Sequence, residues 1–245
     1  MSKDIQLKKY NKKMEHSYTL GAFPTIELLL CRPKDVIKVL IHSQLYRDKQ
    51  FEKIVDLCEK NNIKLEEANK VIERIRDKEN CLVIGVFQKY TNILNKEKDH
   101  VVLVNPSDMG NIGTIIRTCV GFGIKDLAII SPGVDIYNPK VVRASMGSLF
   151  HLYFIYFNSF EEYKNNAGER HMYPFMLEGA TELTKLSREK TANYSLVFGN
   201  EASGLDAAYQ REGTSVFIPH SSEIDSLNLS MAVGIGLFEF TRKEI

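Results

Sequence analysis

The sequence predicts an α/β protein of two modules, a small mixed α/β unit followed by a domain built on a parallel sheet. Three observations predict it. In the second half, apolar runs of four to six residues recur, mostly separated by helix-like stretches, and such alternation yields parallel strands covered on both faces. Residues 1 to 98 carry 20 Lys+Arg and 14 Asp+Glu, net +6, whereas 99 to 245 carry 12 and 17, net −5. That split lies behind a formal net charge of +1 and points to separate modules. Between two apolar strands lies the polar, charged segment TNILNKEKDH (91 to 100), which reads as a linker.

Up to Tyr90 the pattern gives a helix at about 25 to 31, a strand at 36 to 41 (VIKVLI) and a helix at 51 to 60 (FEKIVDLCEK). A shorter helix near 67 to 75 and a strand at 81 to 87 (CLVIGVF) complete the module. From Val101 onwards the strands are VVLV (101 to 104), DLAII (126 to 130), LYFIYF (152 to 157), YPFML (173 to 177), YSLVF (194 to 198) and TSVFI (214 to 218). Ligands of such sheets bind beyond the carboxyl ends of the strands, so the loops after these runs are where chemistry is expected.

Composition narrows the function classes. A 245-residue chain that is 44% apolar can bury roughly 70–75% of its unfolded surface and needs no disulfide or metal to fold. No run of about 18 apolar residues exists, and the first 18 residues are charged where a signal peptide has its apolar centre. A cytoplasmic location without membrane association is expected. Cys31, Cys58, Cys81 and Cys119 lie far apart among apolar neighbours and read as core thiols. The histidines at 16, 42, 100, 151, 171 and 220 show no metal-ligand spacing, so no metal is expected. At the N-terminus Lys3, Lys8, Lys9, Lys12 and Lys13 are interleaved with Tyr10 and Tyr18, a mixture that suits a phosphate backbone and stacked bases. Taken alone, the segment reads as a solvated tail.

Three loops of the second module stand out. In NPSDMGNIGTIIRTCVGFG (105 to 123), Gly110, Asn111 and Gly113 lead into a helix whose apolar stripe is Ile112, Ile115, Ile116, Cys119 and Val120. Asn111 is a natural N-cap, and Arg117 leaves the buried face at about 100° per residue. A cap plus a surface Arg is the commoner explanation of such a pattern. In VFGNEASGLD (197 to 206), Gly199, Asn200, Glu201 and Gly204 sit where a buried strand turns. Glycine there permits close backbone approach to a flat ligand. Glu201 is a candidate to hold a ribose hydroxyl or a substrate cation, or is simply an exposed turn residue. In FIPHSSEIDSLNLSMAVGIGLFEF (217 to 240), a polar turn precedes a helix that Asp225 or Ser226 can cap. Gly234 and Gly236 inside it cost roughly 1 kcal/mol each relative to Ala, so close packing against another backbone is the expected compensation. No nucleophile elbow, catalytic triad spacing, phosphate loop or dinucleotide fingerprint is present.

Together the loops resemble the SpoU, or TrmH-like, RNA ribose methyltransferases of the SPOUT superfamily. The family's D-P-G-N-x-G-x-x-x-R-T is matched by Asp108, Gly110, Asn111, Gly113, Arg117 and Thr118. Its F-G-x-E-x-x-G-L is matched by Phe198, Gly199, Glu201, Gly204 and Leu205, and its I-P-M followed by S-L-N by Ile218, Pro219, Ser226, Leu227 and Asn228. VVRASMGSLFHL (141 to 152) is similar to the family's helix between the first two motifs, and YTLGAFPTIELLL (18 to 30) resembles the opening of the small ribosomal-protein-like RNA-binding domain that many members carry. Met109, His220 and Ser222 depart from the family's Pro, Met and Gly.

The resemblance implies an N-terminal substrate RNA-binding domain at 1 to 90, a linker at 91 to 100 and a methyltransferase domain at 101 to 245. In that domain the C-terminal segment would be threaded into a deep trefoil knot, a rare exception among folds. It implies a homodimer, S-adenosylmethionine as cofactor, and RNA as partner, ribosomal RNA favoured over transfer RNA. Gly199, Ile218, Leu227, Leu177 and Asn228 would bind the cofactor. Arg117 would be catalytic, stabilising the developing alkoxide of a 2′-hydroxyl and gripping the neighbouring phosphate. Asn111 would orient Arg117, Glu201 would hold polar groups of the active site, and Ser226 with Asn228 would shape the methyl-donor end. The rival expectations are a noncatalytic RNA-binding scaffold, and a hydrolase suggested by Ser203, His220 and Asp225.

Overall fold

A computed structural model describes residues 7–178, 181–186 and 193–242. The chain forms two compact units, one of Met1–Tyr90 with Asp135–His151 and one of Thr91–Val134 with Leu152–Ile245.

In the first unit, β1 (His16–Leu20), α1 (Ala22–Cys31) and β2 (Val36–Ile41) are followed by α2 (Lys49–Lys60), β3 (Leu65–Glu67), α3 (Asn69–Ile75) and β4 (Val83–Gln88). The strands form one sheet in the order β1-β4-β2-β3, with β4 antiparallel to both neighbours and β2 parallel to β3. Residues alternate between its faces: Val39 packs with Ile26, Leu29, Ile54 and Cys58, while Leu40 packs with Tyr18, Ile72, Ile84 and Val86. Asp48 starts α2 by accepting from the amides of Gln50 and Phe51.

Strands β1 and β3 were not predicted from apolar patterning. All five residues of β1 are buried although three are polar, and their hydrogen bonds explain how. Ser17 Oγ donates to the Tyr137 carbonyl at 2.5 Å, Thr19 Oγ1 pairs with Thr25 Oγ1 at 2.7 Å, and Gly85 N–H donates to Thr19 Oγ1 at 2.8 Å. The segment Asp135–His151, read in sequence as part of the second module, packs in this unit because its aromatic side chains join this core. Phe150 meets Phe87 edge-on at 5.2 Å, and Tyr137 bonds to the backbone of Tyr90.

The N-terminal segment is docked from Leu7 onward, with Leu7 in the core. Tyr18 is fully buried and its hydroxyl donates to the Lys8 carbonyl, so it cannot stack on a base; Tyr10 donates to Asp135 at 2.5 Å. Lys8, Lys9, Lys12 and Lys13 remain exposed, and Lys3 lies outside the described residues.

The chain continues with β5 (His100–Val104), α4 (Met109–Gly121) and β6 (Asp126–Ile130), then contributes α5 (Pro139–Ala144) to the first unit. Asn138 caps α5 with Pro139 at its first position. The expected helix over 141 to 152 stops at Ala144, because Met146 and Gly147 take φ of 51° and 80°, and a 3₁₀ turn, Ser148–His151, follows.

The second unit is completed by β7 (Tyr153–Phe157), α6 (Phe160–Ala167), β8 (His171–Phe175), β9 (Thr181–Glu182), β10 (Tyr194–Phe198), β11 (Val216–Phe217) and α7 (Leu229–Thr241). Its seven strands lie in the order β7-β6-β5-β10-β8-β11-β9, and every pairing is parallel. The runs predicted in sequence all contribute strands; β9 was not anticipated. Residues 91–99 are irregular but not free, since Leu94 is buried with Val102, Val104 and Ala128.

Among the thiols, Cys58, Cys81 and Cys119 are buried, and burial pushes the Cys58 thiol up to about 11 and the Cys119 thiol up to about 12. Cys31 departs from that expectation: it is half-buried, with Sγ 3.2 Å from His151 Nε2. Among the described residues no helix is long and apolar enough to cross a membrane.

Candidate active site

The three motif loops follow β5, β10 and β11 of the second unit, and hydrogen bonds draw them together at the carboxyl ends of those strands. The cap of α4 is Asp108, in extended backbone, accepting from Asn111 N–H at 2.7 Å. Asn111 is therefore already inside the helix as its third residue, which corrects its expected role as the cap and frees its side chain.

Glu201 organises the loop after β10. Its Oε2 accepts from the N–H and hydroxyl of Ser107 at 3.0 and 2.7 Å, and its Oε1 accepts from Asp108 N–H at 3.1 Å and Asn111 Nδ2 at 3.4 Å. Burial raises the carboxyl, but the Ser107 hydroxyl and these backbone N–H groups outweigh it and hold Glu201 below its ordinary value. In this structure the carboxylate thus clamps one motif loop to another.

Asn200 shapes the same turn. Its Oδ1 accepts from Ala202 N–H at 2.9 Å, its Nδ2 donates to the Asn105 carbonyl at 2.7 Å, and its backbone pairs reciprocally with Gly204. Only glycine fits at 199, where a Cβ would lie 2.1 Å from the Gly204 carbonyl carbon.

Asn228, rather than Asp225 or Ser226, caps α7: its Oδ1 accepts from Ser230 N–H at 2.9 Å and Ser230 Oγ at 2.7 Å. Its Nδ2 donates to Asn111 Oδ1 at 3.1 Å. Glu201, Asn111 and Asn228 therefore form one polar line through all three motifs.

Arg117 stands apart from that line. It is exposed on α4 and hydrogen-bonds none of the described residues. Asn111 does not orient it directly, because six residues of helix separate the two by about 9 Å along the axis and the Asn111 amide is bonded to Glu201 and Asn228.

Beside the polar line, beyond the ends of β8, β10 and β11, lies a cleft of about 190 Å³. Of the residues predicted to contact cofactor, Gly199, Ile218, Leu227 and Leu177 line it, and Glu201 and Ser226 reach its wall. Asn228, Asn111 and Arg117 do not line it. Leu229 and Ala232 add an apolar wall from α7 that was not singled out in sequence, nor was Ser107 as a donor to Glu201. The Ser107 signal was present, a Ser-Asp pair directly before a helix.

Apolar side chains, backbone at Gly199 and Gly204, and a single carboxylate among the lining residues suit a flat heterocycle carrying a cationic tail. Ser203, His220 and Asp225 make no mutual hydrogen bond, and His220 Nδ1 lies 2.8 Å from the Ile218 carbonyl, so they form no triad.

Comparison with known proteins matches this architecture. The model of the SpoU rRNA Methylase family matches residues 98–238. The 23S rRNA (adenosine(1067)-2′-O)-methyltransferase of Streptomyces azureus is 26% identical over 76% of this chain and 72% of its own length. For several further curated relatives the alignment spans about half of their length. A putative tRNA (cytidine(34)-2′-O)-methyltransferase of Listeria monocytogenes is 31% identical over 60% of this chain and 88% of its own length. The crystal structure of an AdoMet-bound rRNA methyltransferase from Sinorhizobium meliloti superposes with a TM-score of 0.76 at 26% identity, over 92% of this chain and 86% of that one. With three motif loops joined at the ends of a parallel sheet, and a family model spanning more than half its length, the chain belongs to the SpoU rRNA Methylase family.

Proposed function

We propose that the chain transfers a methyl group from S-adenosylmethionine to a ribose 2′-hydroxyl of ribosomal RNA. The observation that carries this reading is the polar line Glu201–Asn111–Asn228, which fixes three motif loops around the cleft and leaves the Arg117 guanidinium open to solvent. Bound S-adenosylmethionine supplies an activated methyl group on a cationic sulfur. Leu177, Ile218, Leu227 and the backbone at Gly199 would hold it, with Ser226 and Glu201 on the polar side of the same wall.

The protein's own part is positioning and electrostatics. Arg117 does not line the cleft of its own chain; supplied from the second copy of a homodimer, it donates its planar fork to the ribose oxygen as that oxygen loses its proton, and to the adjacent phosphate. A guanidinium stays charged, so the proton leaves to a phosphate oxygen or water. Asn111 and Asn228 act on the start of α4 and of α7, holding the motif loops in register.

Ribosomal RNA is favoured over transfer RNA by the reach of the matches. Two matches that reach well beyond the methyltransferase region, over 76% and 92% of this chain, are named for ribosomal RNA, whereas other ribosomal-RNA relatives, at 59% and 52%, and the transfer-RNA relative, at 60%, cover little more than that region. The reading assigns residues 1 to 90 to RNA binding, supported by exposed Lys8, Lys9, Lys12 and Lys13 on a docked segment. It includes a cytoplasmic location and a knot at the C-terminal end, the latter supported by the insertion of β10 between β5 and β8 and by α7 packing on α4 and β10.

It also includes a homodimer. Met231, Ile235 and Phe238 form a stripe on α7 that is 60%, 36% and 57% exposed, with Phe122, the residue that follows α4, against Phe238. No charged residue occurs between Leu229 and Phe238, so a second copy is the natural cover for this patch.

The test is calorimetry with Leu227→Arg, which puts a bulky charge on the cleft wall. Loss of S-adenosylmethionine binding in a folded variant is expected; unchanged affinity would remove the cleft as the cofactor site.

A further inference from the structure

Within the first unit, and away from the cleft, we propose that Glu27, Cys31 and His151 form a binding site for one divalent transition-metal ion, zinc by its donor chemistry. Glu27 and Cys31 lie four residues apart on α1 and so share one face of that helix. His151 closes the 3₁₀ turn Ser148–His151. Their ligand atoms all lie within 4.8 Å of one another.

The geometry of the imidazole favours a shared cation over a catalytic relay. In a relay the thiol would use one ring nitrogen and the carboxylate the other. Here Glu27 Oε2 lies 2.8 Å from His151 Nε2, and Cys31 Sγ lies 3.2 Å from that same nitrogen and 3.6 Å from Nδ1. The thiol thus lies nearer the nitrogen that the carboxylate already occupies than the other one, and a cation between the three satisfies all of them at once.

Tetrahedral zinc, with bonds of about 2.3 Å to sulfur and about 2.0 Å to nitrogen or oxygen, sets roughly 3.5 Å between S and N and roughly 3.3 Å between N and O. The S–N separation of 3.2 Å and the N–O separation of 2.8 Å need to open by only about 0.3 and 0.5 Å to meet these values. Thiolate with imidazole and carboxylate is a zinc-type donor set rather than one for magnesium or calcium.

The backbone brings the turn to this place. Gly147, at φ 80°, lies so close to α1 that a Cβ there would sit 2.7 Å from Glu27 Cβ and 3.1 Å from Pro24 Cα. Only glycine lets the turn carrying His151 close on the face that bears Glu27. Side-chain exposures of 21% for Glu27 and 36% for His151 leave an entry path and room for water as a fourth ligand. His151 and Cys31 are 120 residues apart, so no local spacing reveals the trio in sequence. The ion would tie α1 to the end of Asp135–His151, a cross-link inside the first unit.

The test uses the full-length, untagged protein stripped of metal with a chelator and then dialysed. Zinc is titrated against a chromophoric competitor, and cobalt(II) is added separately to read thiolate-to-metal charge transfer. One zinc per chain, a charge-transfer band in wild type, and affinity weakened about 100-fold or more in Cys31→Ser and in His151→Asn are expected. Zinc should raise the melting temperature of wild type and leave both variants unmoved. Absence of stoichiometric zinc, or absence of the band in wild type, would overturn the proposal whatever the variants do. Equal affinity in folded Cys31→Ser and His151→Asn would overturn it as well, and would leave a hydrogen-bonded His–Glu pair beside a thiol.

Discussion

Arg117 and Glu201 divide the work of the site, one facing outward and one inward. Replacing Arg117 by Ala removes a group that no described residue depends on, so turnover should fall at least about 100-fold while S-adenosylmethionine affinity holds within about twofold. A variant with equal turnover, measured under saturating cofactor, would take catalysis away from Arg117. Glu201→Gln keeps the shape but replaces one acceptor oxygen with an NH₂ group facing either the Ser107 or the Asp108 N–H donors. Its expected cost is about 1–3 kcal/mol of stability, read by urea denaturation, together with weakened cofactor binding; an unchanged midpoint would show that the clamp contributes nothing. At this scale the sequence located Glu201, Asn111 and Asn228 without showing that they bond to one another. Capping preference pointed to Asn111, but Asp108, three residues earlier, suits a helix start equally well, and the extended backbone at Asp108 makes it the cap.

Elements whose stability rests on apolar periodicity were legible, and those that rest on polar pairing were not. The strands β5, β6, β7 and β10 announce themselves as apolar runs of four to six residues, whereas β1 is HSYTL and buries Ser17 and Thr19 only because each has a hydrogen-bond partner. Inside α7 the expected close approach to another backbone is replaced by aromatic rings. A Cβ on Gly236 would lie 2.9 Å from Phe175 Cζ and 3.1 Å from Phe198 Cζ, rings that stack at 4.4 Å between centroids.

His100, at the start of β5, carries a pH dependence. It is buried, with Nδ1 2.9 Å from the Tyr163 hydroxyl and Nε2 2.9 Å from the Asn95 carbonyl. Burial, and secondarily the Arg170 charge, lower it to about 4. The unfolded chain therefore binds more protons below about pH 6.5, so the stability contributed by neutral His100 is full above that value and is lost as pH falls towards 4. Melting temperature should decline across this window, and His100→Gln should flatten the decline; an equally steep profile in the variant would assign it to other groups.

Taken as a whole, the charge split and the alternation of apolar runs point to a boundary at residues 91 to 100, whereas the two compact units of the structure have different bounds. The place of Asp135–His151 in the first unit was not legible, since the aromatic contacts of Tyr137 and Phe150 that put it there join residues distant in sequence. Self-association belongs to this scale. Phe238→Glu puts a charge in the middle of the exposed α4–α7 stripe and should convert a dimer to a monomer by light scattering, with activity falling in parallel. A wild type that is monomeric at micromolar concentration would contradict the dimer.

The most direct measurement supplies methyl-labelled S-adenosylmethionine to wild type and to Arg117→Ala, each with unmodified ribosomal RNA and, separately, unmodified transfer RNA, followed by nucleoside analysis. The predicted result is label in a 2′-O-methylated nucleoside of ribosomal RNA with wild type, and a strongly reduced yield with Arg117→Ala. Label on a base instead of a ribose, or equal 2′-O-labelling by the two proteins, would contradict the mechanism, and label confined to transfer RNA would contradict the assigned substrate.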